Sequence, residues 1–155
     1  MKNKEVIEKL IKKKISISST ESCTGGKFAS EITSVPNSSK IFNFGLITYS
    51  NKSKKNFLNV KKNSLKKYGA VSAQVCKEMV EGLHKISKSK ICISTTGIAG
   101  PKGGSKLKPV GLVYIGFKYN KITKIYEFNF NKRFKRQKIQ TLSVNNIFKI
   151  ISLSI

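Results

Sequence analysis

Three long segments of the chain repeat apolar residues at the spacing of an amphipathic helix. They cover residues 3–13, 72–88 and 136–153. Ser72 can cap the second helix, because a serine hydroxyl accepts a hydrogen bond from the unpaired N–H groups at a helix start. Shorter helical stretches are predicted at residues 27–33, 51–58 and 63–67.

Strand-like segments alternate with these helices. The two clearest, residues 110–119 and 124–130, flank Asn120 and Lys121 and predict a β-hairpin. Because helices alternate with strands and one hairpin is present, the order predicts an α/β fold, a single-domain three-layer α/β/α sandwich with a mixed sheet. We find neither an internal repeat nor a linker, so one domain over residues 1–155 is expected. The other predicted strands are residues 15–18, 41–49 and 90–96.

A strong excess of basic residues dominates the composition. Lysine and arginine total 31 against seven acidic residues, all of them glutamate, which gives a net charge of +24. Such a chain attracts polyanions. Arginine, however, occurs only as Arg133 and Arg136, and the lysines are spread over the whole length. We interpret the excess as a general drift in composition, and we do not expect nucleic acid to be the main partner.

The scarcity of acids and histidine argues against several common catalytic arrangements. A Ser-His-Asp triad, a pair of glycosidase carboxylates and a carboxylate cage for a metal all need residues that this chain barely has. We expect the one histidine, His84, to be solvated or to cap a helix. Cys23, Cys76 and Cys92 form no CxxC pair, so neither a disulfide framework nor a zinc site is indicated. Cys76 and Cys92 are predicted to be buried thiols, and we expect no metal and no cofactor.

The apolar runs of the chain are shorter than the ~18–20 residues of a membrane span. The first 14 residues interleave lysines and glutamates with an apolar stripe, whereas a signal peptide needs a continuous apolar core. We therefore expect a cytoplasmic protein without a membrane partner.

Two loops follow predicted strands and are rich in small residues and hydroxyls: residues 20–26, the serine loop, and residues 97–104, the glycine loop. Ligands of open α/β sheets bind at the carboxyl ends of strands, so the two loops could share one crevice. The N–H groups of Gly25 and Gly26 could face an anion or an oxyanion at a helix start. Alternatively, Thr24 caps the helix and the glycines merely turn the chain.

Six short motifs are spread along the chain. They are Glu21–Gly26, Val35–Ser39, Thr48–Asn51 with Lys54, Gly69–Ser72, Thr96–Pro101 and Lys108–Gly111. These motifs occur in the order and spacing of the CinA C-terminal domain family, which the chain resembles from about residue 4 to 150. The family includes stand-alone nicotinamide-nucleotide amidohydrolases, and this chain looks like the single-domain form.

The resemblance implies a three-layer α/β/α fold and a metal-free amidohydrolase. It would convert nicotinamide mononucleotide to nicotinic acid mononucleotide and ammonia, in pyridine-nucleotide recycling. Association into homo-oligomers is expected, since family members often associate. The resemblance places Ser22, Tyr49, Lys54 and Thr96 in catalysis and Arg136 in contact with the substrate. From the two loops, Thr24, Gly25, Gly26, Gly97 and Gly100 are also expected to contact the substrate.

The implied residues have compatible chemistry. A Ser–Lys arrangement suits a chain without a His–Asp pair, provided that Lys54 is desolvated enough to accept the proton of Ser22. Thr96 could contact an oxyanion, and Arg136 could hold a phosphate with two hydrogen bonds. Two alternatives remain open. Lys54 could belong to a solvated face, and Tyr49 could be a core aromatic.

The chain departs from the family pattern before its last helix, where Phe134-Lys135-Arg136 replaces the usual Gly-Asp-Arg. Gln140 stands where an arginine is common, and an alignment through Arg133 is also possible. Two other functions therefore stay in view. One is a non-catalytic nucleotide-binding or regulatory module of the same fold, and the other is a nucleic-acid-associated competence-type protein.

Overall fold

The computed structural model describes residues 2–155, which form a five-stranded sheet covered by helices on both faces. The strands are β1 (Ile17–Glu21), β2 (Phe42–Ile47), β3 (Ile91–Gly97), β4 (Leu112–Tyr119) and β5 (Ile122–Asn129). The helices are α1 (Asn3–Lys12), α2 (Lys27–Thr33), α3 (Asn51–Leu58), α4 (Lys62–Tyr68), α5 (Ala73–Ser87) and α6 (Arg136–Ser152), and a 3₁₀ turn covers Ser38–Lys40.

The strand order β2-β1-β3-β4-β5 determines where a ligand can enter the sheet. Strand β1 pairs in parallel with both β2 and β3, while β4 and β5 run antiparallel to their neighbours. The connection after β1 leads to β2 on one side of the central pair of strands, and the connection after β3 leads to β4 on the other side. Their divergence opens a crevice at the carboxyl ends of these two strands.

Helices α1, α2 and α6 cover one face of the sheet, and α5 covers the other together with α3 and α4. The predicted three-layer sandwich with a mixed sheet is confirmed. Among residues 2–155, no helix is long and apolar enough to cross a membrane.

The first strand differs from its prediction. It was expected at residues 15–18, but β1 runs to Glu21, and Thr20 and Glu21 are completely buried. A central strand has neighbours on both edges and helices on both faces, so its side chains need not alternate between apolar and polar. The hydroxyls are instead satisfied inside the protein, as when Thr20 Oγ1 lies 2.8 Å from Thr48 Oγ1.

Gly82 allows α3 to pack closely against α5. A Cβ atom at this position would lie 2.1 Å from the carbonyl oxygen of Leu58, the last residue of α3. The backbones of the two helices thus touch directly, and this contact fixes the height of α3 above the sheet.

We expect the Gly82→Ala variant to lose about 1–3 kcal/mol of unfolding free energy, because the added methyl overlaps backbone that cannot move without shifting α3. Urea denaturation against Lys77→Ala, an exposed change on the same helix, measures the effect. The control should stay within about 0.5 kcal/mol of the parent. Equal midpoints for the two variants would show that the contact does not constrain α3.

Candidate active site

Ser22 and Lys54 meet at the carboxyl end of β1. Ser22 directly follows the strand, and Lys54 lies in the first turn of α3. The Lys54 ammonium donates hydrogen bonds to Ser22 Oγ at 3.1 Å and to the carbonyl oxygen of Thr48 at 2.8 Å. The predicted pairing of the serine with the lysine is therefore present in the geometry.

Lys54 is 1% exposed, whereas its neighbours Lys52 and Lys55 face solvent. The alternative that Lys54 belongs to a solvated face is wrong. The inward direction follows from the helix start, where the Ser50 hydroxyl accepts a hydrogen bond from Ser53 N at 3.0 Å and so orients the first turn.

Burial lowers the pKa of the Lys54 ammonium, because the low-dielectric interior disfavours its charged form. The ion pairs of residues 2–155 join Lys4 to Glu8 and Lys118 to Glu81, so no carboxylate of this part of the chain forms an ion pair with Lys54. Lys54 can therefore lose its proton more readily than an exposed lysine, as a base beside a hydroxyl nucleophile must.

Glu21 is a completely buried carboxylate that holds the serine loop in place. It accepts hydrogen bonds from the backbone N–H groups of Gly26 at 3.0 Å, Phe28 at 3.2 Å and Ala29 at 2.9 Å. The Thr24 hydroxyl also donates to it, at 2.6 Å. Carboxylates are stabilised at helix N-termini, so Glu21 anchors α2 and fixes the backbone next to Ser22.

Thr24, Gly25 and Gly26, which were predicted to contact the substrate, do not line the pocket. The Gly26 N–H donates to Glu21 and the Gly25 N–H donates to the carbonyl of Ser22 at 3.0 Å, so neither is available to a ligand. The hydroxyl of Thr24 is buried between Glu21 and Thr95. Sequence reasoning missed this role of Glu21, although an acid directly before a loop and helix start was a usable signal.

Thr96 lies in the same pocket, and its hydroxyl proton is already engaged. Its hydroxyl donates to the carbonyl of Ala70 at 2.8 Å, so its proton is not available to an oxyanion. It therefore fixes the turn that leads to Ser72. Ala99 and Gly100 also line the pocket, and their N–H groups donate no hydrogen bond within residues 2–155, so these groups are the candidates for that contact.

Gly97 and Gly100 both line the pocket, and packing explains why each is a glycine. A Cβ at Gly97 would lie 2.8 Å from the carbonyl oxygen of Leu112. At Gly100, where φ is +77°, a Cβ would lie 2.5 Å from Val110 Cγ1. The glycine loop is thus held tightly against the start of β4.

Arg136 spans the mouth of the pocket. Its guanidinium donates to the carbonyl of Gly100 at 2.8 Å and to the hydroxyl of Tyr49 at 2.6 Å, joining the loops that follow β3 and β2. Tyr49 is 60% exposed, so the core-aromatic alternative is wrong. Of the two arginines, Arg136 lines the pocket and Arg133 does not.

The pocket has a volume of about 260 Å³ and a clear polarity. Ser22 and Lys54 form its polar floor, and Arg136 and Lys102 lie at its mouth. Its apolar wall was missed from the sequence, because the small apolar side chains within the motifs Gly69–Ser72 and Thr96–Pro101 give no chemical signal of ligand contact. The wall consists of Ala70, Val71, Ile98 and Ala99.

The family model for the CinA C-terminal domain matches residues 1–155. The chain belongs to the CinA C-terminal domain family. A relative in Thermoanaerobacter pseudethanolicus, named as a competence-damage inducible protein, is 46% identical over 148 residues. The match covers 95% of this chain but 35% of the relative, so the chain spans about a third of the curated relatives' length.

Solved structures of the family have the same fold. The competence/damage inducible protein CihA of Agrobacterium tumefaciens aligns with a TM-score of 0.93 and 32% identity, over 97% of this chain and 92% of that chain. A CinA superfamily protein of Escherichia coli aligns with a TM-score of 0.92 and 26% identity, over 99% and 88% of the two chains.

The departures from the CinA pattern leave the pocket side of α6 intact. Lys135 occupies the N-cap of α6 without a side-chain cap, where the family's aspartate would stand. Arg136 nevertheless reaches the pocket mouth through its own hydrogen bonds. Gln140, in the place of a common arginine, donates to the carbonyl of Cys23 at 3.0 Å and ties α6 to the serine loop.

The remaining reactive side chains are unsuited to catalysis. His84 lies near the end of α5 with Nδ1 3.3 Å from the carbonyl of Ser89, and it does not line the pocket. Cys76 and Cys92 are buried, as predicted. Burial raises the pKa of the Cys23 thiol to about 12, so its nucleophilic thiolate is scarce at neutral pH.

We expect the three cysteines of the native protein to resist a thiol reagent, because burial raises the pKa of each. Titration with Ellman's reagent at pH 7.5 should detect all three only after denaturation. Cys23→Ala identifies the contribution of the thiol nearest Ser22. Rapid labelling that this change abolishes would show that Cys23 is exposed and reactive.

Proposed function

We propose that this CinA-family domain hydrolyses the carboxamide of nicotinamide mononucleotide to nicotinic acid mononucleotide and ammonia. The observation that carries the proposal is the 3.1 Å contact between Lys54 Nζ and Ser22 Oγ at the floor of a pocket. The resemblance of the motifs to nicotinamide-nucleotide amidohydrolases supplies the substrate. The names of the relatives specify no reaction.

In the first step, neutral Lys54 takes the proton of Ser22 while Ser22 Oγ attacks the carboxamide carbon. The amide π electrons move to oxygen, and the unpaired N–H groups of Ala99 and Gly100 are close enough in the chain to bind that oxyanion together. When the oxyanion collapses, the carbon–nitrogen bond breaks. Lys54 returns its proton to the leaving nitrogen, which departs as ammonia and leaves an ester on Ser22.

In the second step, Lys54 removes a proton from water, which attacks the ester carbon. The bond between that carbon and Ser22 Oγ breaks, and Ser22 recovers its proton from Lys54. The products are the carboxylic acid and the free enzyme. One lysine thus serves as base and acid in both half-reactions, which requires a pKa below that of an exposed lysine.

The rest of the pocket matches the rest of the substrate. The apolar wall formed by Ala70, Val71 and Ile98 suits a flat pyridine ring. Arg136 has three N–H donors beyond the two hydrogen bonds that it makes to Gly100 and Tyr49, so it can also bind a phosphate. The floor would then receive the carboxamide and the mouth would receive the phosphate.

Ammonia release from nicotinamide mononucleotide tests the proposal. We expect Ser22→Ala and Lys54→Met each to reduce turnover by about 10²-fold or more, because each removes a participant in proton transfer. Lys55→Met is the matched control, since it makes the same substitution on the same helix at an exposed position, and it should retain activity. Circular dichroism checks that the variants fold.

Parent-like turnover in the Ser22→Ala variant would contradict the role of Ser22 as the nucleophile. A parent protein that binds the mononucleotide without releasing ammonia would instead establish a nucleotide-binding module of the same fold.

A further inference from the structure

A second groove adjoins the pocket at the outer side of the glycine loop. Its volume is about 700 Å³, and it shares Lys102 and Gly103 with the pocket. The pocket at Ser22 and the groove therefore lie next to each other along the glycine loop. Lys106 and Lys132 line the far part of the groove.

The groove carries three positive charges that no acid of residues 2–155 neutralises by an ion pair. Lys102, Lys106 and Lys132 are exposed. From residue 82 to the C-terminus, Glu127 is the one acidic residue, and it does not line the groove. Its carboxylate accepts a hydrogen bond from Asn129 at 3.0 Å. The groove therefore carries a local excess of positive charge next to the pocket.

The backbone of the groove is held in shape without a ligand. Ser105 and Lys108 bond to each other twice, through Ser105 N to the Lys108 carbonyl at 2.8 Å and Lys108 N to Ser105 Oγ at 3.1 Å. The Lys108 ammonium also donates to the carbonyl of Tyr68. A Cβ at Gly104 would lie 2.8 Å from Val110 N, so the chain folds back closely there. Binding to a preformed site loses less conformational entropy, because the loop need not become ordered when the ligand binds.

We infer that this groove is a second anion subsite, which lets the site accept a pyridine nucleotide extended beyond its phosphate by a pyrophosphate-linked group. The inference rests on the proposed function for the orientation of the ligand. With the carboxamide at Ser22 and the first phosphate at Arg136, a second phosphate would extend beyond the mouth of the pocket and pass Lys102 into the groove. The ligand class is a pyrophosphate-linked dinucleotide that shares its pyridine half with the mononucleotide.

Calorimetry tests the subsite with three probes: inorganic pyrophosphate, nicotinamide mononucleotide and nicotinamide adenine dinucleotide. All proteins carry Ser22→Ala to prevent turnover, and the buffer has physiological salt so that distant charges are screened. The groove variant combines Lys106→Ala and Lys132→Ala, because these two lysines line the groove but not the pocket. The matched control removes two exposed lysines elsewhere, through Lys13→Ala and Lys85→Ala.

We expect the groove variant to bind pyrophosphate and the dinucleotide about tenfold more weakly, because charge-assisted contacts to the second phosphate are lost. Its affinity for the mononucleotide should change less than about threefold, and the control should change as little for every probe. Equal weakening in the groove variant and the control variant would overturn the subsite and assign the binding to diffuse charge. Unchanged pyrophosphate affinity in the groove variant would also overturn it.

A failure of the proposed function gives a different result. If the mononucleotide does not bind at all, the proposed substrate is wrong, while pyrophosphate binding still decides whether the groove takes anions.

Discussion

The burial of the Lys54 ammonium without a neighbouring carboxylate is the constraint on which the candidate site depends. A charged group removed from water is destabilised unless it is paired, so this lysine favours its neutral form more than an exposed one does. The surrounding structure must hold it in place despite that cost. The Ser50 cap orients the first turn of α3, and the contact between Gly82 and Leu58 fixes α3 against α5.

This constraint also links stability to pH. The pKa of Lys54 is lower in the folded protein than in the unfolded chain, so between those two values the unfolded chain binds more protons. The contribution of Lys54 to stability therefore increases as the pH rises through that window. At lower pH the full cost of burying the ammonium remains.

Glu21, the buried carboxylate next to Ser22 in sequence, does not form an ion pair with Lys54. An ion pair between the two buried groups would favour the ammonium and raise the pKa of the lysine. The carboxylate instead takes three N–H donors at the start of α2 and the Thr24 hydroxyl. The Glu21 carboxylate thus stabilises the loop that presents Ser22. Lys54 lies beside the Ser22 hydroxyl without an ion-pair partner.

Periodicity predicted the outer elements well, because α5 and α6 each bury one face and expose the other. It failed for β1, where burial on both faces removes the alternation. The pairing of Ser22 with Lys54 came from the family resemblance, since nothing in a separation of 32 residues indicates contact. The direction of individual hydroxyls, such as that of Thr96 toward Ala70, depends on tertiary contacts that no local pattern contains.

The titration of the Lys54 side chain tests the central claim most directly. Nuclear magnetic resonance of protein with labelled lysines can follow each ε-carbon across pH, and the signal that is missing in Lys54→Arg identifies the residue. The lysine signals of the denatured protein supply the reference. We expect the apparent pKa of Lys54 in the folded protein to lie clearly below that reference. An equal or higher pKa would show that Lys54 keeps its proton and cannot serve as the base for Ser22.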